Sequence, residues 1–598
     1  MPRLCCVVLA WLIAGAPAYA AAAHAAAGST VAGSAAPGRA VQQESAPELC
    51  PRPAVGANVP EPAELRSVGG LLHVDLTLHS YRTASGDARY CYLASDGQEA
   101  PTLRVHPGDR VVLRLTNRLV ELDDAKREPR SRHHAHPAPS AGDPCLSGAM
   151  TAVSTNLHFH GMTMPPVCHQ DDVLRTSIQP EDEPFEYRFM VPRNEPPGLN
   201  WYHPHIHGFS AKQVGGGASG ALIVEGLERA IPEVAGLPER VLVIRDLNLM
   251  NPDAQPSSAE PVVPKPMLDP DGDVANNNTG YGKPARDLSL NFVAAPYPDY
   301  TPAKIALRPK ERQLWRVLNA AAITYVHLTL LYDKVPQNVG VVAIDGVPVN
   351  FGDPRAPHVK TLDHIVIPPG SRSEFIVEGP PAGTQALLIT RMIDTGQDGE
   401  NDPNRTLASI EASADAPEPR SRMPPPGAPL PKARLPWVGD VTPVRTRKLF
   451  FSERRSDPAD TMSPTLFFLT LDGENPVVFD PSSAQPNIIV RQGDVEDWII
   501  ENRSLELHDF HIHQIHFQLR DWYGYEVNEP FLRDTVSVPP HDSHMAAFPG
   551  IRVRMDFRDP NSVGTFVYHC HLLEHEDGGM MGTIRVEPAL PKSARRGP

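Results

Sequence analysis

A chain of 598 residues is too long for one hydrophobic core and is expected to fold as two to four domains. Its formal net charge of −16 gives nucleic-acid binding no electrostatic basis. Its 66 prolines, set with Gly between short Val/Ile/Leu runs, favour β architecture with long loops.

Residues 1–20, MPRLCCVVLAWLIAGAPAYA, place one Arg before an apolar run that ends in Ala18-Tyr19-Ala20, the small-x-small pattern of a secretory signal. The run is too short for a good membrane span, it has no twin-Arg pair, and no other segment is apolar enough to cross a bilayer. Residues 21–60 are Ala/Gly/Pro-rich and are expected to be disordered. The cysteines agree with export to a periplasmic or extracellular space. Without Cys5 and Cys6, the residues Cys50, Cys91, Cys145 and Cys168 suffice for two disulfides in any of three pairings. Cys570 is left over, and its presence in an exported chain points to metal.

A first β-domain is expected over 61–235. It opens with PGDRVVLRLTN (107–117), a turn feeding an alternating strand that closes on Asn. A charged insertion at 121–150, with His133, His134 and His136, reads as a solvated surface loop. NLHFHG (His158, His160), the acidic HQDDV (Asp171, Asp172) and GLNWYHPHIHG (His203, His205, with His207 beyond) follow. A second domain is expected over 236–415, with a surface insertion at 251–288 and a second copy of the turn-strand, PKERQLWRVLN (309–319). Its Gly383-Thr-Gln-Ala-Leu-Leu388 has Leu where Gly198-Leu-Asn-Trp-Tyr-His203 and Gly564-Thr-Phe-Val-Tyr-His569 have His, so this domain reads as a spacer without chemistry. Residues 416–444 form a Pro-rich linker. A third domain over 445–590 carries the third copy, QGDVEDWIIEN (492–502), then LHDFHIHQIH (His508, His511, His513) and YHCHLLEHEDGGMM (His569, Cys570, His571, His575, Met580). PKSARRGP is a polar tail.

Strand geometry sorts these ligands. Residues two apart share a face of a strand and neighbours point oppositely, so His569 and His571 face one way and Cys570 the other. His158/His160, His203/His205 and His511/His513 are likewise same-face pairs, and with His569/His571 they make eight imidazoles. His508, three before His511, joins the cysteine face. His508, Cys570 and His575 with the thioether of Met580 are the ligand chemistry of a blue-copper site.

In these four motifs, in this order and over nearly all of the expected mature chain, the sequence resembles the multicopper oxidases of the laccase-like type. The resemblance implies an all-β chain of three consecutive cupredoxin-like Greek-key β-sandwich or barrel domains. It implies four coppers: type 1 at His508, Cys570, His575 and Met580, type 2 at His158 and His511, and a type 3 pair at His160, His203, His205, His513, His569 and His571. The cluster would form only where domains one and three meet, which couples metal loading to docking. It further implies dioxygen as acceptor, Asp171 and Glu576 as proton carriers, with Asp172 able to substitute, and His207 and His516 outside the ligand set. The family usually has Pro after the first His of the third motif, and here stands Asp509. The expected reaction is one-electron oxidation of phenols or aromatic amines coupled to four-electron reduction of dioxygen to water by a monomer. A metal-ion oxidase for Cu(I), Fe(II) or Mn(II) is the alternative, disfavoured by the lack of Met-rich segments, and a non-catalytic scaffold is disfavoured by the complete ligand set.

Overall fold

The computed structural model describes residues 48–590 apart from 123–141, 148–149, 257–260, 262–264, 352, 354, 431–434, 461–462, 484 and 543. The expected signal, residues 21–47, His133, His134 and His136, and the tail from 591 lie outside the described residues.

Each of the three repeated segments forms the same local structure. The second residue of every copy (Gly108, Lys310, Gly493) sits at positive φ, between 60° and 103°, and turns the chain into the strand that follows. Glycine makes that turn without steric cost, and Lys310 makes it despite its Cβ. The strands are Arg110–Arg118, Arg312–Asn319 and Val495–Asn502. Their neighbours repeat too. Each pairs parallel with an earlier strand (Leu71–Arg82, Pro238–Leu247, Arg445–Arg455) and antiparallel with a later one (Phe185–Met190, Arg372–Glu378, Gly550–Asp556). A second sheet faces the first in each case, and three separate apolar cores fill the gaps, centred on Leu113, Trp315 and Trp498. The chain is therefore three consecutive cupredoxin-like β-sandwiches.

The closing Asn explains why all three copies keep it. Asn117 Nδ2 donates to the carbonyls of Val153 and Ile178, Asn319 Nδ2 to those of Thr324 and Ile367, and Asn502 Nδ2 to those of Glu506 and Val538. Each Oδ1 accepts the N–H two residues on, from Leu119, Ala321 or Ser504. One buried amide thus ties a strand end to two other segments of its sandwich. Asn319→Ala strands these carbonyls at a cost of about 1–3 kcal/mol each. It is expected to lower the thermal midpoint without changing metal content, because the amide bonds only Thr324, Ile367 and Ala321, and the variant keeps the backbone carbonyl that accepts the Gly370 N–H.

Two expectations change in the structure. Residues 50–60, inside the segment read as disordered, are fixed by the Cys50–Cys91 disulfide and by pairing of Asn58 with Lys304 of the second sandwich. The other disulfide is Cys145–Cys168, which selects one of the three pairings. The Pro-rich linker is not free either: Ser421–Arg422 pairs with Pro238–Glu239, and Met423 is buried. Among the described residues no helix is long and apolar enough to cross a membrane.

Candidate metal centre

Two strand pairs face each other across the boundary of the first and third sandwiches. In the first, His158–His160 runs antiparallel to Gly198–His203, with His158 opposite His203. In the third, His508–Ile512 runs antiparallel to Gly564–Cys570, with His511 opposite His569. The same register in both halves brings eight imidazoles together, all buried. His158 stacks on His513 with ring centres 3.7 Å apart, and His160 on His511 at 3.9 Å. His205 Nε2 and His513 Nε2 lie 3.4 and 3.2 Å from His569 Nε2, and the His571 ring is 5.0 Å from that of His160. His205, His513 and His571 stand just past their strand ends, yet all fall on the face that alternation assigns them.

Cys570 points the opposite way. Its Sγ lies 3.7 Å from His508 Nδ1 and 3.8 Å from His575 Nδ1, and these two nitrogens are 3.2 Å apart. His575 sits on the one-turn helix Leu573–Asp577, which returns the chain so that Met580 O accepts the Cys570 N–H. Met580 is fully buried in the same core as Cys570. Burial alone raises a thiol, but hydrogen bonds from His508 and His575 outweigh it and bring Cys570 down to about 6. One strand therefore serves two sites through its backbone.

The hydrogen bonds decide which nitrogen of each ring is free. Nδ1 of His158 donates to Asp171, and those of His203, His511 and His569 donate to the carbonyls of Pro204, Asp534 and Cys570. These acceptors cannot donate, so each ring carries its proton on Nδ1 and a lone pair on Nε2. His160 is reversed: Nε2 meets Asp534 Oδ1 at 3.3 Å and Nδ1 is left over. Nε2 of His158, His203 and His511, Nδ1 of His160 and His513, and both nitrogens of His571 are buried without a hydrogen-bond partner. Burial holds His160, His203, His205, His511, His513 and His571 well below their ordinary values, and His569 at about 3. A nest of neutral imidazoles with unpartnered lone pairs fits metal ions and little else. Beside it, a thiolate with two imidazoles suits copper.

Several residues that position this centre carry no motif. Arg372 comes from the second sandwich, read above as a spacer. Its guanidinium holds both Asp534 oxygens at 2.7–2.8 Å and donates to the Leu199 and Gly370 carbonyls. Asp534 in turn orients His160 and His511. Gly370, at positive φ, leaves space that a Cβ would take from the His571 ring, 2.7 Å away. His516 meets the Asp345 carbonyl and His207 packs on Phe479, so both lie beside the nest. Asp509 is fully buried, and neither carboxylate oxygen has a hydrogen-bond partner. Burial, with Cys570, Asp345 and Asp534 nearby, pushes its carboxyl well above the usual range.

Comparison with known proteins agrees with this geometry. Family models described as multicopper oxidase match residues 150–229 and 452–590, the two sandwiches that hold the ligands. A multicopper oxidase of Staphylococcus haemolyticus is 22% identical over 494 residues, 81% of either chain. A laccase of Haloferax volcanii is 24% identical over 518 residues, 81% of this chain and 76% of that one. The structure of a Campylobacter jejuni multicopper oxidase, described as a metallo-oxidase, superposes with a TM-score of 0.60 at 23% identity, covering 90% of this chain and 96% of the other.

Proposed function

The chain belongs to the multicopper oxidases, and on that premise we propose that it is a metal-ion oxidase, taking electrons from a hard divalent cation and reducing dioxygen to water. We assign His508, Cys570, His575 and Met580 to a type 1 copper, and His158 and His511 to a type 2 copper. A type 3 pair takes His160, His203, His205, His513, His569 and His571, making four coppers per chain. Copper bound there supplies one-electron acceptance and the four-electron reduction of dioxygen.

The choice of donor rests on one observation. The edges of His508 and His575 that face away from Cys570 meet carboxylates. Glu453 Oε1 lies 2.8 Å from His508 Nε2, and Glu506 Oε1 and Asp271 Oδ2 lie 3.3 and 3.6 Å from His575 Nε2. Glu400 and Asp398 add two more carboxyl groups to the same cluster. Asp271 is carried by the turn Asp269–Asp273 of the 251–288 insertion, and Glu400 by a loop of the second sandwich that bridges to Leu505–Leu507. A phenol calls for a single carboxylate to take its proton, whereas Fe(II) or Mn(II) is bound by several together; Cu(I) prefers sulfur. The missing Met-rich segments thus argue against Cu(I) rather than against every metal ion.

Crowding makes this group welcome a cation. Burial first, and then mutual repulsion, push Glu400 and Glu506 well above the usual carboxylate range, and Asp269 up to about 7. A carboxyl raised in the folded chain stabilises it at low pH and loses that contribution as pH climbs through the raised value. The KM for a divalent donor is therefore expected to fall as pH rises from about 6 to 8, through the Asp269 value. Glu506→Gln is expected to lower kcat/KM for Fe(II) or Mn(II) about 10–100-fold, equivalent to about 1.4–2.7 kcal/mol, with a much smaller change for a neutral phenol. A wild-type enzyme that oxidises the phenol faster than either ion would overturn the donor reading.

On the cluster side, Glu576 Oε1 accepts from Ser210 Oγ at 3.0 Å, and its carboxylate lies 3.6 and 3.7 Å from Nδ1 of His205 and His569. Burial and its neighbour Asp577 raise this carboxyl well above the usual range, so it holds a proton next to the rings. It is assigned to proton delivery. Asp171, saturated by donors from His158, Phe159 and Gln514, fits the orientation of His158 better than proton transport. The two disulfides suit an oxidising compartment outside the cytoplasm.

A further inference from the structure

The two HxH strands are structural counterparts, since His158 pairs with His203 as His511 pairs with His569. The residue that follows each pair is therefore equivalent: Gly161 in the first sandwich and Gln514 in the third. Both adopt positive φ, 90° at Gly161 and 58° at Gln514. Glycine takes that conformation freely, and a Cβ at Gly161 would strike Arg372 and Asn200. Gln514 has no such freedom, and a side chain with a Cβ in the left-handed region is retained where something else requires it.

The requirement is visible across the domain boundary. Gln514 is buried, and its Nε2 donates to Asp171 Oδ2 in the first sandwich. The amide orientation follows from the hydrogen bonds, because a carboxylate that already accepts from Phe159 and His158 meets the amide through its N–H rather than its oxygen. Asp171 Oδ1 takes the Phe159 N–H at 3.0 Å, and the carboxylate takes the His158 Nδ1–H at 3.0–3.1 Å. Without Gln514 one carboxylate oxygen keeps only the imidazole, and both Asp171 and the His158 ring gain freedom to turn.

We infer that Gln514 is a positioning residue that clamps Asp171 onto His158 across the boundary of the first and third sandwiches, so that the type 2 metal is held firmly only when the two are docked. The inference rests on the assignment of His158 to the type 2 copper. Groups that orient a metal-bound imidazole through its second nitrogen are worth about 10–100-fold in metal affinity.

The test uses the copper-loaded full chain and two variants. Gln514→Gly removes the amide and relaxes the backbone. Gln514→Asn keeps an amide side chain tolerant of positive φ but is one methylene too short to reach. Chelator titration followed by EPR reads the type 2 signal, and the blue absorbance per chain reads the type 1 site on the other face of the strand as an internal control of folding. The expected result is type 2 copper lost about 10–100-fold more readily in both variants at unchanged blue absorbance. Equal retention in wild type and variants overturns the inference alone. Loss of both signals in step also overturns it, since Gln514 would then be a packing residue. A wild-type chain that takes up no copper overturns the assignment and this inference together.

Discussion

Cys570→Ser is expected to abolish the blue absorption and donor oxidation together, while the type 2 and type 3 coppers remain. The substitution keeps a small side chain in a fully buried position, and the strand Gly564–Cys570 keeps its pairing to both neighbours, so the fold has no reason to fail. What disappears is the one group in the nest of His508 and His575 that those two imidazoles bring down to about 6. A serine hydroxyl is not deprotonated under the same influence, and a neutral oxygen replaces a soft anionic ligand. His569 and His571 face away from residue 570 and keep their places among the other rings. The measurement is metal content with optical and EPR spectra of the purified variant: about three coppers, no blue band and an intact type 2 signal. Retention of the blue band would remove Cys570 from the type 1 site.

Alternation along a strand made the ligands legible. The parity of His569, Cys570 and His571 follows from a strand's period of two and needs no knowledge of the partner strand. The turn-strand-Asn repeat was equally readable, because the residue at positive φ, the alternating core positions and the closing amide lie within eleven residues in all three copies. Groups that act from afar left no such trace. Arg372 is 162 residues from Asp534, and Gln514 is 343 from Asp171. No periodicity relates such pairs; only the docking of sandwiches brings them together. The carboxylates at the far edge of His575 come from an insertion, a loop of the second sandwich and the third sandwich itself, and each looks like an ordinary loop or strand charge in sequence. For Gln514 a faint signal did exist, the comparison of HFHG with HIHQ, where one glycine is replaced in an otherwise parallel motif. The middle sandwich, read as a spacer without copper, bears on the site in a way that its sequence does not display. Leu388 lies in the apolar core of that sandwich, on the strand face that Tyr568 and Cys570 take in the third sandwich rather than the face of His569. The same sandwich, through Arg372 and Gly370, nonetheless shapes the metal nest from outside.

Arg372→Met follows from that last point and is expected to be the most destabilising of these changes. Arg372, Asp345 and Asp534 are buried to within 1% of complete exclusion from solvent. Removing one member of a buried ionic group leaves the others uncompensated, at a cost of about 3–5 kcal/mol. Burial and Asp534 already raise Asp345 to about 6 against the pull of Arg372, so in the variant Asp345 climbs further. The sign of the pH dependence then follows. A carboxyl raised above its unfolded value stabilises the fold at low pH and loses that stabilisation as pH rises through the raised value. The thermal midpoint of the variant is therefore expected to lie closest to that of wild type near pH 5 and to fall further behind by pH 8. Asp534 also orients His160 through its carboxylate and His511 through its backbone carbonyl, one a type 3 and the other a type 2 ligand by the assignment above. Copper should accordingly be lost from the cluster while the type 1 site, whose ligands touch none of these groups, keeps its blue colour in whatever fraction stays folded. Arg372→Lys separates charge from geometry: an ammonium restores a positive charge but cannot hold both oxygens of Asp534 as a planar fork does. Its midpoint should recover more than its cluster copper does. Equal recovery of the two would mean that Arg372 contributes charge alone, and that the second sandwich fixes the docking of the other two without aiming their histidines.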